Sequence, residues 1–149
     1  MKKLDVQSDG TVFGYTREKS KSHPPGGRTY KSLNYHRQSK LKPGKTIWSK
    51  NLSLEDEASL FDSSDFCGWL SVRGDLWWVG FNAGVVVGVR GERVAFFPRC
   101  DNHPGPWHGY PVAPSDDESY EIPEDVIRIW EADKTVDNLT AKRMRRGKI

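Results

Sequence analysis

Residues 67–98, "CGWLSVRGDLWWVGFNAGVVVGVRGERVAFFP", constrain the fold more than any other stretch of the chain. Apolar, β-branched and aromatic runs are interrupted there by Arg73-Gly74-Asp75, Asn82-Ala83-Gly84 and Arg90-Gly91-Glu92, which is turn chemistry at hairpin spacing. The pattern predicts four antiparallel strands, near 68–73, 76–81, 85–90 and 93–98, joined as a meander. The run "VVVGV" shows no polar alternation, so it is expected to be central and buried on both faces. Trp69, Trp78, Val87 and Phe96 are the expected core residues.

Helices are expected on both sides of the strands. In "SLEDEASLF", 53–61, Ser53 can cap the first turn, and Glu55, Asp56 and Glu57 suit the positive end of the helix dipole. Leu54, Ala58 and Phe61 then form one apolar face. "IPEDVIRIWEAD", 122–133, predicts a second helix, with Pro123 at the first helical position and Val126 paired to Trp130. A third, over 136–146, ends before Gly147 with Arg143, Arg145 and Arg146 at the negative end of its dipole. The resulting fold class is α+β: a central four-stranded antiparallel meander, a short preceding helix, and two C-terminal helices covering one face. Three segments follow from this: a hairpin over 1–15 turning at Asp9-Gly10, a basic loop or arm over 16–45, and a single core domain over 46–149 ending in the helical pair.

A length of 149 residues suits one modest core, and 36% hydrophobic residues are too many for a wholly disordered chain. No run of about 18 apolar residues exists to span a bilayer. The basic start is followed by no apolar stretch of the signal-peptide kind, so a cytoplasmic location without membrane association is expected. Two cysteines, Cys67 and Cys100, are too few for a disulfide framework.

Charge is unevenly distributed. Residues 1–50 carry twelve Lys/Arg against three Asp/Glu, residues 51–65 five acids and no base, and residues 138–149 five bases and no acid. Basic ends point to an anionic partner. In "RTYKSLNYHRQSK", 28–40, Arg28, Lys31, Arg37 and Lys40 interleave with Tyr30, Tyr35 and His36, the mixture of charge and planar groups that tracks a nucleic-acid backbone. A helix–turn–helix reading of the C-terminal pair is disfavoured, because its acidic first helix would repel phosphates.

The stretch "RCDNHPGPWHGYPV", 99–112, concentrates His103, His108, Cys100, Trp107 and Tyr110 among three prolines. Its first reading is a stiff cap or recognition loop, with Trp107 and Tyr110 lying on the sheet or facing a partner. Its second is catalytic: His103 and His108 as general acid and base, with Arg99 stabilising anionic charge. A metal reading through Cys100, His103 and His108, with Asp101 and Cys67 nearby, has no standard ligand spacing. No nucleophile elbow, zinc helix or dinucleotide fingerprint is present.

The leading expectation is a small binding protein that engages an anionic partner (RNA, DNA or an acidic protein face) through Arg28, Lys31, Tyr35, Arg37 and Lys40, with Trp107 and Tyr110 contributing. The alternatives are a metal-independent ribonuclease of the toxin type, using His103, His108 and Arg99, and an immunity or antitoxin protein that inhibits a partner enzyme. None of the three readings calls for a cofactor or a metal.

Overall fold

The computed structural model describes residues 4–8, 11–17, 27–37, 46–99 and 106–149. The chain is α+β, with two three-stranded antiparallel sheets and three α-helices among the described residues. The first sheet is β1 (Asp5–Val6), β2 (Val12–Tyr15) and β3 (Thr29–Ser32), in that order. Val6 lies opposite Val12, and the expected turn residues Asp9 and Gly10 fall outside the described residues. β3 belongs to the segment read from sequence as loop or arm. Its alternation buries Tyr30 and Ser32 and leaves Thr29 and Lys31 half-buried. One aromatic in four residues is too little periodicity to recognise in advance.

The second sheet is β4 (Leu76–Val79), β5 (Val94–Phe97) and β6 (Tyr110–Val112), with β5 central. The four-stranded meander is therefore corrected. Residues 68–73 contribute a single bridge, Leu70 to Leu76, and 85–90 another, Gly88 to Trp48. The second edge of β5 is taken by β6, which comes from the proline-rich stretch. Pro111 lacks an amide hydrogen, and an edge strand tolerates that. With no sheet position left, the valine run packs as a loop: Val87 is buried, while Val85 and Val86 remain exposed.

The runs buried on both faces are instead β4 and β5, by alternation. Trp77, Val79, Val94 and Val112 face a core shared with Trp69, Val126, Trp130 and Met144. Leu76, Ala95 and Phe97 face a second core with Tyr30, Trp48, Phe61, Val87 and Trp107. Trp69 and Val87 are buried as expected, but Trp78 and Phe96 are only partly buried. In each strand the neighbouring residue takes the deeper position.

Helix α1 (Leu54–Cys67) starts at a full capping box, Ser53 with Asp56, and ends on Gly68 in the left-handed region at φ +72°. It runs six residues past the expected end, through the polar "DSSDFC". Helix α2 (Glu124–Ala132) has Pro123 as its cap residue rather than its first helical one. Helix α3 (Asn138–Arg145) is capped by Asp137, whose side chain accepts from Thr140 N. The acidic and basic C-terminal helices pair with each other, because Arg145 bridges Glu124 at 2.9 Å and also Glu131.

Candidate functional site

Helix α1 and strand β3 interlock by spacing. Residues four apart on a helix are about 6 Å apart along its axis, and alternate residues on a strand about 6.6 Å. Glu57, Phe61 and Asp65 can therefore meet Ser32, Tyr30 and Arg28 rung by rung. Glu57 accepts from Ser32 Oγ at 2.9 Å and from the Tyr30 hydroxyl. The Phe61 and Tyr30 rings stack at 4.8 Å, and Asp65 accepts from Arg28 Nε at 2.8 Å.

Two further arginines close the same face. Arg37 Nε donates to Glu57 at 2.7 Å while its other nitrogens reach Leu52 O and Ser53 O. Arg17 donates to Asp62 from both its amide and Nε, each at 2.9 Å. Burial pushes the Glu57 pKa up, and the donors Tyr30, Arg37 and Ser32 pull it only part of the way back. Burial, and then the Glu57 charge, hold the Tyr30 hydroxyl well above its ordinary value.

This geometry accounts for Arg28 and Arg37, two of the residues expected to meet a partner. Both are tied to buried carboxylates of α1. Lys31 is half-buried, its ammonium 5.9 Å from the centre of the Phe13 ring. Tyr35 is exposed and edge-on to His36. Lys40 lies outside the described residues.

The proline-rich stretch joins the two sheets. Trp107 N donates to Thr29 O and Trp107 O accepts from Lys31 N, both at 2.8 Å, which forms a parallel bridge to Tyr30. The Trp107 ring is buried beneath Arg28, 5.2 Å away, so it belongs to the core rather than to a stacking surface. At Gly109 a Cβ would stand 2.1 Å from Phe97 Cδ1, and glycine is required for this close approach. Tyr110 is half-buried and stacked on His36 at 4.9 Å. Burial and a hydrogen bond with Tyr120 raise its pKa.

His108 is on the surface. Partial burial, then the Lys31 ammonium, draw its pKa below the ordinary 6.5. His103, Cys100 and Asp101 lie outside the described residues. Arg99 is exposed, its amide donating to Asp75 Oδ1 at 2.7 Å. Cys67 is an exposed thiol, and no group of three or more His, Cys, Asp or Glu is placed to hold a metal among the described residues.

A second basic site was not singled out by sequence. The Phe81–Ala83 turn, the 90–93 loop, residues 113–116 and the end of α3 enclose a cleft of about 550 Å³. Arg90, Arg93, Arg143 and Lys148 line it, against Asp116 and the buried Glu92, which accepts from Arg90 N. Arg143 and Lys148 make no ion pair among the described residues, unlike Arg145, which lies two residues past Arg143 and so leaves the helix on another face. The Ile149 main-chain oxygen accepts from Ser115 N in the same cleft. The outermost of these four cations, Arg90 and Lys148, lie 58 positions apart, and only the fold collects them.

No helix among the described residues is long and apolar enough to cross a membrane. No family model, curated protein or solved structure matches this chain.

Proposed function

We propose that the protein is a binding module for an anionic partner, and that the partner is engaged at the cleft of Arg90, Arg93, Arg143 and Lys148. The observation that carries this reading is the contrast in pairing. The N-terminal Arg17, Arg28 and Arg37 are neutralised by α1, whereas Arg143 and Lys148 face an open cleft without ion pairs among the described residues. An anion entering the cleft displaces counterions and water but breaks none of the pairs that hold the fold.

Retention on a heparin matrix tests the reading. The double variant Arg143→Glu, Lys148→Glu is expected to elute at clearly lower salt than Lys50→Glu, Arg73→Glu, which changes net charge equally on exposed positions away from the cleft. Co-elution of the two variants would mean that net charge alone governs retention, and the cleft would lose its role.

A second reading starts from His108, an exposed imidazole whose pKa partial burial and the Lys31 ammonium draw below its ordinary value. It suits a general base of a metal-independent ribonuclease, with His103 as acid and Arg99 as anion stabiliser. His108→Ala is expected to slow RNA cleavage by about 100-fold on that reading. Absence of cleavage by the unaltered protein removes it.

A further inference from the structure

The Phe81–Ala83 turn holds a large apolar side chain in water on a backbone that opposes the arrangement. Asn82 and Ala83 have φ of +50° and +55°, a region that asparagine visits and alanine rarely does. The turn is locked from outside. Asn82 N donates to Thr135 O at 2.9 Å, and Asn82 Oδ1 accepts from Asp137 N at 2.8 Å. Both partners lie in the α2–α3 connection, which leads directly into Leu139 on the first turn of α3.

Four exposed apolar residues lie within four positions of the residues that make this lock. Phe81 is 72% exposed, Leu139 68%, Val85 43% and Val86 42%. Gly80 admits Val85, since a Cβ there would lie 2.5 Å from Val85 Cγ2. Asn82, Ala83 and Gly84 of the same turn also form a wall of the basic cleft. The turn that walls the basic cleft is thus flanked along the chain by exposed apolar residues on both sides, Phe81 before it and Val85 and Val86 after it. Surface patches of this composition, apolar and rimmed by charge, mark interaction sites.

We infer that this end of the molecule docks an acidic protein segment with large apolar anchors. The anchors pack on Phe81, Leu139, Val85 and Val86, and the segment's carboxylates enter the cleft toward Arg93, Arg143 and Lys148. The inference rests on the anionic-partner reading and narrows it to one class. Three of the four exposed apolar side chains are aliphatic and offer no π face for base stacking, which single-stranded nucleic acid would use. Valine and leucine instead match the apolar face of an amphipathic helix. The locked turn limits the ordering cost on this side of the interface.

Fluorescence anisotropy with three labelled probes tests it. The first is a glutamate-rich peptide with leucines at i, i+3, i+4 and i+7. The second has the same charges with serine for leucine, and the third is oligouridine. The amphipathic peptide is expected to bind at least about tenfold tighter than its serine counterpart, as burial of two or more leucines implies. Phe81→Ser, Leu139→Ser should erase that difference, and thermal melts of this surface double variant should match the unaltered protein. Arg143→Glu, Lys148→Glu should weaken both peptides. Equal binding of the two peptides would overturn the docking inference and leave a purely ionic cleft standing. Tighter oligouridine binding that ignores the Phe81 and Leu139 changes would replace the protein partner with nucleic acid. Failure of all three probes to bind would remove the inference together with the anionic-partner reading.

Discussion

The two basic ends of the chain look alike in sequence and are put to opposite uses. Near the N-terminus, Arg17, Arg28 and Arg37 dock onto Asp62, Asp65 and Glu57 and fasten the first sheet to α1. At the C-terminus Arg145 is bridged to α2, while Arg143 and Lys148 line an open cleft without ion pairs among the described residues. A run of like charge therefore says little about availability. What decides is whether another element brings carboxylates to it, and here α1 supplies Glu57, Asp62 and Asp65 to the first end. Buried pairs of this kind are poor net stabilisers but costly to break by halves.

The comparison can be broken or sharpened by a graded set of changes. Trp107→Ala should cost about 3–5 kcal/mol in urea titrations, because the ring fills the core where the two sheets meet. A small loss would mean that the first sheet is only loosely attached. Tyr30→Phe should cost about 1.5–3 kcal/mol, the range for a hydrogen bond to a charged group. It should also change the alkaline limb. Tyrosines of the unfolded chain ionise near 10.0 and Tyr30 in the fold does so later, so its stabilisation is complete below pH 10 and falls as pH rises further. The phenylalanine variant should lose that component of the fall.

Arg17→Ala should cost less than about 1 kcal/mol, because the arginine is 47% exposed and solvent screens its pair with Asp62. A larger loss would place Arg17 with the buried members of the set. The smallest effect is local. NMR titration of His108 should give a midpoint below 6.5, and Lys31→Gln should move it upward. Since the unfolded chain takes up that proton at the ordinary value, this group withdraws stability as pH falls through 6.5. An unmoved midpoint would separate His108 from the first sheet's remaining surface charge.

The parts of this fold that were legible in the sequence are those with local causes. Ser53 and Asp56 form their capping box within four residues, and α2 and α3 follow from their own periodicity and caps. The continuation of α1 through Asp62 and Asp65 was not legible, because those carboxylates are satisfied by arginines 45 and 37 positions away. The valine run misled for a related reason. An apolar strand needs a free sheet edge, and β6, carrying Pro111, already occupied the one beside β5. Of the expected site residues, Arg28 and Arg37 sit in ion pairs with α1 and Trp107 is buried, Lys31, Tyr35, Tyr110, His108 and Arg99 retain surface, and Lys40 and His103 lie outside the described residues. The cleft was invisible because its cations converge from two segments some fifty positions apart, the 90–93 loop and the end of α3.

The most direct test of the division between the two ends is a urea titration of Arg37→Ala beside Arg143→Ala. Arg37→Ala leaves the buried Glu57 without its cation and should lose about 3–5 kcal/mol. Arg143→Ala should stay within about 0.5 kcal/mol of the unaltered protein, as an exposed side chain outside any ion pair among the described residues. Equal losses, or a greater loss at Arg143, would contradict the assignment of the first arginines to the fold and the second to a partner.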